Sequence, residues 1–127
     1  MRAEPDPHAK VAAYARLARQ VSERLGSLSA ALSAGGPEAA GVVAATERER
    51  AAGVTAFVGD LAATGHLRAG ADPVLAADAC WILLSPQVFH LCTTGRGWSP
   101  DTYETWLAAM LAATLLPPPA ARDGPAA

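Results

Sequence analysis

Cysteine is scarce. Cys80 and Cys92 are the two present, and both lie in apolar, helix-patterned surroundings rather than in a small loop-rich framework. A disulfide scaffold is therefore excluded, and the pair reads as buried reduced thiols. Surplus charge is scarce too: ten Lys and Arg against twelve Asp and Glu leave a formal net charge of −2, which argues against holding nucleic acid through bulk charge. Aromatic residues make up only 6% of a chain that is 51% hydrophobic. Alanine supplies much of the rest, so the few large side chains mark where packing or binding is concentrated. Clusters of β-branched residues are almost missing, which favours helix over strand.

Motifs of catalysis and metal binding are missing as well. His8, His66 and His90 are scattered. Cys80, His90 and Cys92 do not have ligand spacing, because zinc ligands come at short loop spacings or at i,i+4, and two residues two apart on a helix face different ways. There is no nucleophile elbow, no paired carboxylates and no phosphate loop, since Gly95-Arg96-Gly97 follows no strand. The expectation is a non-enzyme without metal or cofactor. No uninterrupted apolar run approaches the roughly 18 to 20 residues that span a bilayer, and Met1 to Pro7 lack a signal-peptide core. A soluble, cytoplasmic protein with no membrane partner is expected.

What remains is helix. The length fits one domain, read as residues 8–116 between disordered tails at 1–7 and 117–127. Val11, Tyr14, Ala18, Val21, Leu25, Leu28 and Leu32 recur at spacings of 3 and 4, one stripe of a long first helix. Lys10, Arg16, Arg19 and Arg24 make that helix basic, and they read as a solvated face. Gly35-Gly36-Pro37 ends it. The second helix, about Glu38 to Thr64, turns Val42, Val43, Thr46, Val54, Phe57, Val58 and Leu61 toward the core. Its Glu47 and Arg50 can pair at i,i+3 as surface decoration.

Gly65 caps the second helix, and Asp72-Pro73 starts a third with an acidic N-cap and a proline at the first helical position. From Val74 to Leu84 this helix is apolar on every side, and a helix apolar all round is buried all round. One chain this small cannot supply every neighbour, so one face is expected to meet a partner. Pro86 predicts a kink at Leu84-Ser85, with the helix continuing through Val88, Phe89, Leu91 and Cys92. Ser99-Pro100 starts a fourth helix, on which Tyr103, Trp106, Leu107, Met110, Leu111, Thr114 and Leu115 form a wide stripe. Pro117-Pro118-Pro119 stops it.

Two sets of residues qualify as sites. Trp81, Ser85 and Phe89 fall at i, i+4 and i+8 of one helix face. With Tyr14 and Phe57 they line either ordinary core or a cavity for an apolar or aromatic small molecule, apolar walls with a few polar handles being how such sites are built. Tyr103, Trp106, Leu107, Met110 and Leu111 belong either to the core or to a two-fold interface. Aromatic residues and Met are enriched at interface cores, and twofold dimers are the commonest oligomers. The interface is favoured, with Trp106 and Met110 toward the partner.

From Gly65 onward the residues carry a resemblance. Gly65-His66-Leu67-Arg68-Ala69-Gly70-Ala71-Asp72, Ala76-Ala77-Asp78, Trp81, Leu84-Ser85-Pro86, Phe89, Arg96-Gly97-Trp98-Ser99-Pro100, Tyr103 and Trp106-Leu107 look like the C-terminal regulatory domain of TetR-family transcriptional repressors of the actinobacterial type. The likeness is close over about 45 residues and looser, in helix order alone, over residues 8–64.

It implies an all-α domain of about four helices, an effector pocket within them, and a last helical hairpin that pairs with a second subunit in a four-helix bundle. The family's DNA-reading helix-turn-helix has no counterpart in the sequence, so direct operator binding by this chain alone is not expected. The resulting reading is a homodimeric, ligand-binding regulatory domain. The alternatives are a module that heterodimerises with a full-length TetR-like repressor, a fragment of a DNA-binding repressor with a misplaced start, and, remotely, a small enzyme reusing the pocket.

Overall fold

The computed structural model describes residues 6–32 and 35–118, the side chains of 26–32 excepted. The tails expected at 1–7 and 117–127 fall outside them save for Asp6, Pro7, Pro117 and Pro118, as do the side chains of Leu28 and Leu32. The described residues are all-α: α1 (Pro7–Leu32), α2 (Gly36–Ala63), α3 (Pro73–Leu83), α4 (Pro86–His90, continued by a π-helical turn over Leu91–Gly95) and α5 (Pro100–Leu115).

A repeated dipeptide sets the starts. The Asp6 carboxylate accepts from His8 N at 3.0 Å, and the Asp72 carboxylate from Val74 N at 2.9 Å. The Ser85 hydroxyl accepts from Val88 N at 3.2 Å and the Ser99 hydroxyl from Thr102 N at 3.1 Å. Proline follows each of the four, its fixed φ suiting the first helical position and its missing N–H costing nothing there. Pro7 therefore begins α1, and Asp6 caps it. The kink expected at Leu84-Ser85 is a full break: α3 stops, Ser85 swings to extended backbone (φ −69°, ψ 147°) and caps a new helix. Gly65, at φ +78°, turns the chain out of α2 while His66 N and Leu67 N both reach back to Leu61 O, a close that favours glycine.

The core is organised around α5. Tyr103, Leu107, Leu111 and Leu115, four residues apart, are fully buried, each contributing about 1.5–3 kcal/mol by burial. Val11 and Ala15 of α1, Val54, Val58 and Leu61 of α2, and Ala76, Ala77 and Cys80 of α3 complete the cluster. α5 lies between α1 and α3, and α2 packs along α3. The apolar row of α2 is buried only in its second half. Val42 and Val43, expected in the core, are about half exposed.

Two of the four basic residues of α1, Lys10 and Arg19, are tied to neighbouring helices, while Arg16 and Arg24 stay exposed. Lys10 pairs with Asp60 of α2 at 3.1 Å. Arg19 pairs with Asp101 and Glu104 of α5 and with Glu23, and Arg16 lies 3.7 Å from Glu104. At the other end of α5, Arg68 donates from Nε to Leu116 O (3.2 Å) and from Nη2 to Ala113 O (2.8 Å), while its backbone N–H reaches Leu115 O at 2.7 Å. A cation there complements the negative end of the helix dipole.

Candidate functional site

Two features rise above packing, and both involve α3. The first follows from Pro86. Without an N–H it cannot donate to Ile82 O, the acceptor four residues back. Ser85 N takes Ile82 O instead, at 3.1 Å, and Leu84 N bonds to Cys80 O. That leaves Trp81 O without its helical donor, and Arg50 of α2 supplies one: Nη1 lies 2.9 Å from it. The guanidinium also stacks over the Trp81 ring, 4.7 Å from its centroid, and presents Nε and Nη2 to the two oxygens of Glu47 at 3.4 and 2.7 Å. The pair that looked like surface decoration is thus a cross-helix fixture.

Around this fixture stand three of the expected ligand-site residues. Tyr14 and Phe57 stack with ring centroids 4.2 Å apart and planes 15° apart, and Trp81 stands under Arg50 with part of its ring exposed. Burial pushes the Tyr14 phenol up to about 12, Cys80 adding to the rise and Arg50 opposing it. Cys80 is likewise pushed up to about 12 by burial, against the pull of Arg50. A thiol so raised is protonated at neutral pH, the reverse of what a nucleophile needs.

The other two residues do not complete a common face. Ser85 is buried, and its hydroxyl is spent capping α4. Phe89 packs edge-on against Tyr103, centroids 4.9 Å apart at 89°, in an aromatic group with Trp106 and Trp98. The spacing i, i+4, i+8 puts three side chains on one face only of an unbroken helix, and the break at Ser85 removes that condition.

The second feature is the outer side of α3. Val74, Leu75 and Ile82 are 68, 64 and 56% exposed, Trp81 38%, and Leu91 beyond the break 62%. On the residues expected at a partner interface the burial is of a different kind. Tyr103, Leu107 and Leu111 are fully enclosed by their own chain, so an interface built on them requires the monomer to open. Trp106 and Met110 keep part of their surface. The wide apolar stripe of α5 is mostly the side turned to α1 and α3. Among the described residues the most exposed large apolar side chains are Val74, Leu75 and Ile82 of α3 and Leu91, with the exposed Asp78 set among them on the outer side of α3.

Taken together, Pro73–Gly95 spans 23 residues at a mean hydropathy of 1.4 and is long and apolar enough, by length and composition, to cross a membrane. Asp78 and Pro86 interrupt its apolar run. The break divides it, however: α3 has 11 residues, about 16 Å at 1.5 Å per residue, half of a roughly 30 Å hydrocarbon layer.

A cleft of about 460 Å³ lies between α1 and α5, lined by Arg16, Arg19, Gln20, Glu23, Asp101, Glu104 and Thr105. It is polar, and its carboxylates are already engaged by its two arginines. No group of three metal-ligating side chains occurs among the described residues. In comparisons with known proteins, no family model, curated protein or solved structure matches the chain.

Proposed function

We propose that the chain is a TetR-like regulatory domain, non-catalytic and cytoplasmic, that dimerises and responds to an apolar or aromatic small molecule in the service of transcriptional regulation. The resemblance of residues 65–116 carries the family, and the all-α order of helices agrees with it. The single observation behind self-association is the outer face of α3, where Val74, Leu75, Ile82 and Leu91 stand exposed together with the edge of Trp81. Apolar surface gathered on one helix is the signature of an interaction site, and a second copy is the partner that presents the same face under twofold symmetry. The interface is accordingly assigned to α3 and the exposed margins of Trp106 and Met110, with Tyr103, Leu107 and Leu111 behind it as support. The ligand side is assigned to Tyr14, Phe57 and Trp81.

Light scattering on the eluting full chain tests this reading. The wild type is expected at twice the chain mass, and Leu75→Glu combined with Ile82→Glu at the chain mass with unchanged helicity, since both side chains are exposed in the single chain. A wild type that stays monomeric at all accessible concentrations overturns it. Co-elution of the chain with a full-length repressor, in place of self-association, transfers the same surface to a heterodimer.

A further inference from the structure

We propose that Arg50 is the receptor for the carboxylate of an aromatic acid, and that Glu47 occupies the receptor in the free protein. This rests on the reading of Tyr14, Phe57 and Trp81 as the wall of a small-molecule site, and it names the class of molecule that wall takes.

Capping Trp81 O requires one donor, and Nη1 supplies it. The rest of the guanidinium is unexplained by that role. Its Nε–Nη2 edge is the side that matches a carboxylate with two parallel bonds, and Glu47 fills it from one turn away on the same helix. The two partners are unequally held. The Arg50 side chain is 12% exposed, whereas that of Glu47 is 34% exposed, so Glu47 can release into water while Arg50 stays fixed by Trp81.

Replacing the Glu47 carboxylate with that of a ligand keeps every hydrogen bond of the largely buried guanidinium. The exchange gives up only a pair of the i,i+3 kind, which is weak on a helix surface. The body of the ligand has an aromatic environment to meet: the Trp81 ring, partly exposed beneath the guanidinium, and the Tyr14–Phe57 stack. Gly53, one turn along α2 from Arg50, lets the Tyr14 hydroxyl pack against α2 beside the guanidinium; a Cβ there would lie 3.6 Å from it. A carboxylate, planar and with two oxygens, matches the paired Nε and Nη2 donors of the fork as the Glu47 carboxylate does.

The test uses the full chain and a matched pair of probes, naphthoate and its neutral amide, followed by calorimetric titration. Naphthoate is expected to bind the wild type about tenfold more tightly than naphthamide, the scale of one charge-assisted pair. Glu47→Gln, which removes the internal competitor and leaves α2 intact, should tighten naphthoate several-fold and leave naphthamide unchanged. Arg50→Gln should erase the preference for the acid, and Arg50→Lys, which keeps the charge and loses the fork, should restore only part of it. Circular dichroism on each variant separates lost binding from lost fold. Equal affinity of the two probes for the wild type, or weaker naphthoate binding by Glu47→Gln, overturns the proposal while leaving an apolar small-molecule wall in place. Binding of neither probe overturns both, and the dimer measurement is unaffected by either result.

Discussion

Tyr103 shows what a single atom can cost. Its hydroxyl is buried without a hydrogen-bond partner among the described residues, beside the buried Ser22 of α1, and burial pushes its pKa up to about 12. A buried donor left unmade costs about 1–3 kcal/mol, while removing it together with its demand can stabilise. Tyr103→Phe keeps the ring that packs on Phe89 and is expected to raise stability by about 1 kcal/mol, or roughly 3–6 °C in the unfolding midpoint. A loss of similar size would mean that the hydroxyl is satisfied after all, with Ser22 as the partner. Arg50 lies at the opposite extreme, a cation with every edge used. Nothing near it in the chain announces this, because its acceptor Trp81 is 31 residues away and is freed only by the proline at 86. Read locally, Glu47 and Arg50 are an ordinary surface pair.

At the scale of elements, helix starts were legible because their cause is local: an oxygen-bearing side chain and a proline in succession. Asp72-Pro73 and Ser99-Pro100 were read correctly on that rule. Asp6-Pro7 and Ser85-Pro86 obey it too, although a position near the terminus and a continuing apolar pattern mask the signal there. The π-helical turn over Leu91–Gly95, closed by Arg96 N on Leu91 O and Trp98 N on Cys92 O, has no comparable signature. Beyond it Trp98 packs edge-on against Trp106, ring centroids 5.7 Å apart. The end of α5 is held from a distance by Arg68. Arg68→Ala strips donors from Ala113 O and Leu116 O and removes a cation from the helix C-terminus, a loss of about 1–2 kcal/mol. Urea unfolding would register it as a lowered midpoint with unchanged slope. Arg68→Lys should recover a fraction, since an ammonium meets one carbonyl where the fork meets two. An unchanged midpoint in Arg68→Ala would show that solvent satisfies that end of the helix equally well.

At the scale of the molecule, an apolar stripe records how much surface must be covered and is silent on who covers it. The stripe of α5, wide enough for an interface, is spent inside the chain on Val11, Ala15 and the α3 alanines. The shorter α3, whose one charged residue is the exposed Asp78, is left with Val74, Leu75 and Ile82 uncovered. Small residues decide this: Ala76, Ala77 and Cys80 let α3 sit close against α5 and α2, which turns the larger side chains outward.

If a second copy covers that face, folding and association are linked, and mass action makes the unfolding midpoint of the wild type rise with protein concentration. The Leu75→Glu and Ile82→Glu chain should unfold at a concentration-independent temperature, below that of the concentrated wild type and close to that of the dilute one. The same comparison separates a dimer seam from a bilayer contact. Sedimentation with phosphatidylcholine vesicles should leave the wild type in solution, because a helix of 11 residues broken by Ser85-Pro86 would carry unsatisfied backbone groups into hydrocarbon. Co-sedimentation of the wild type, abolished by the two glutamates, would reassign the face to lipid.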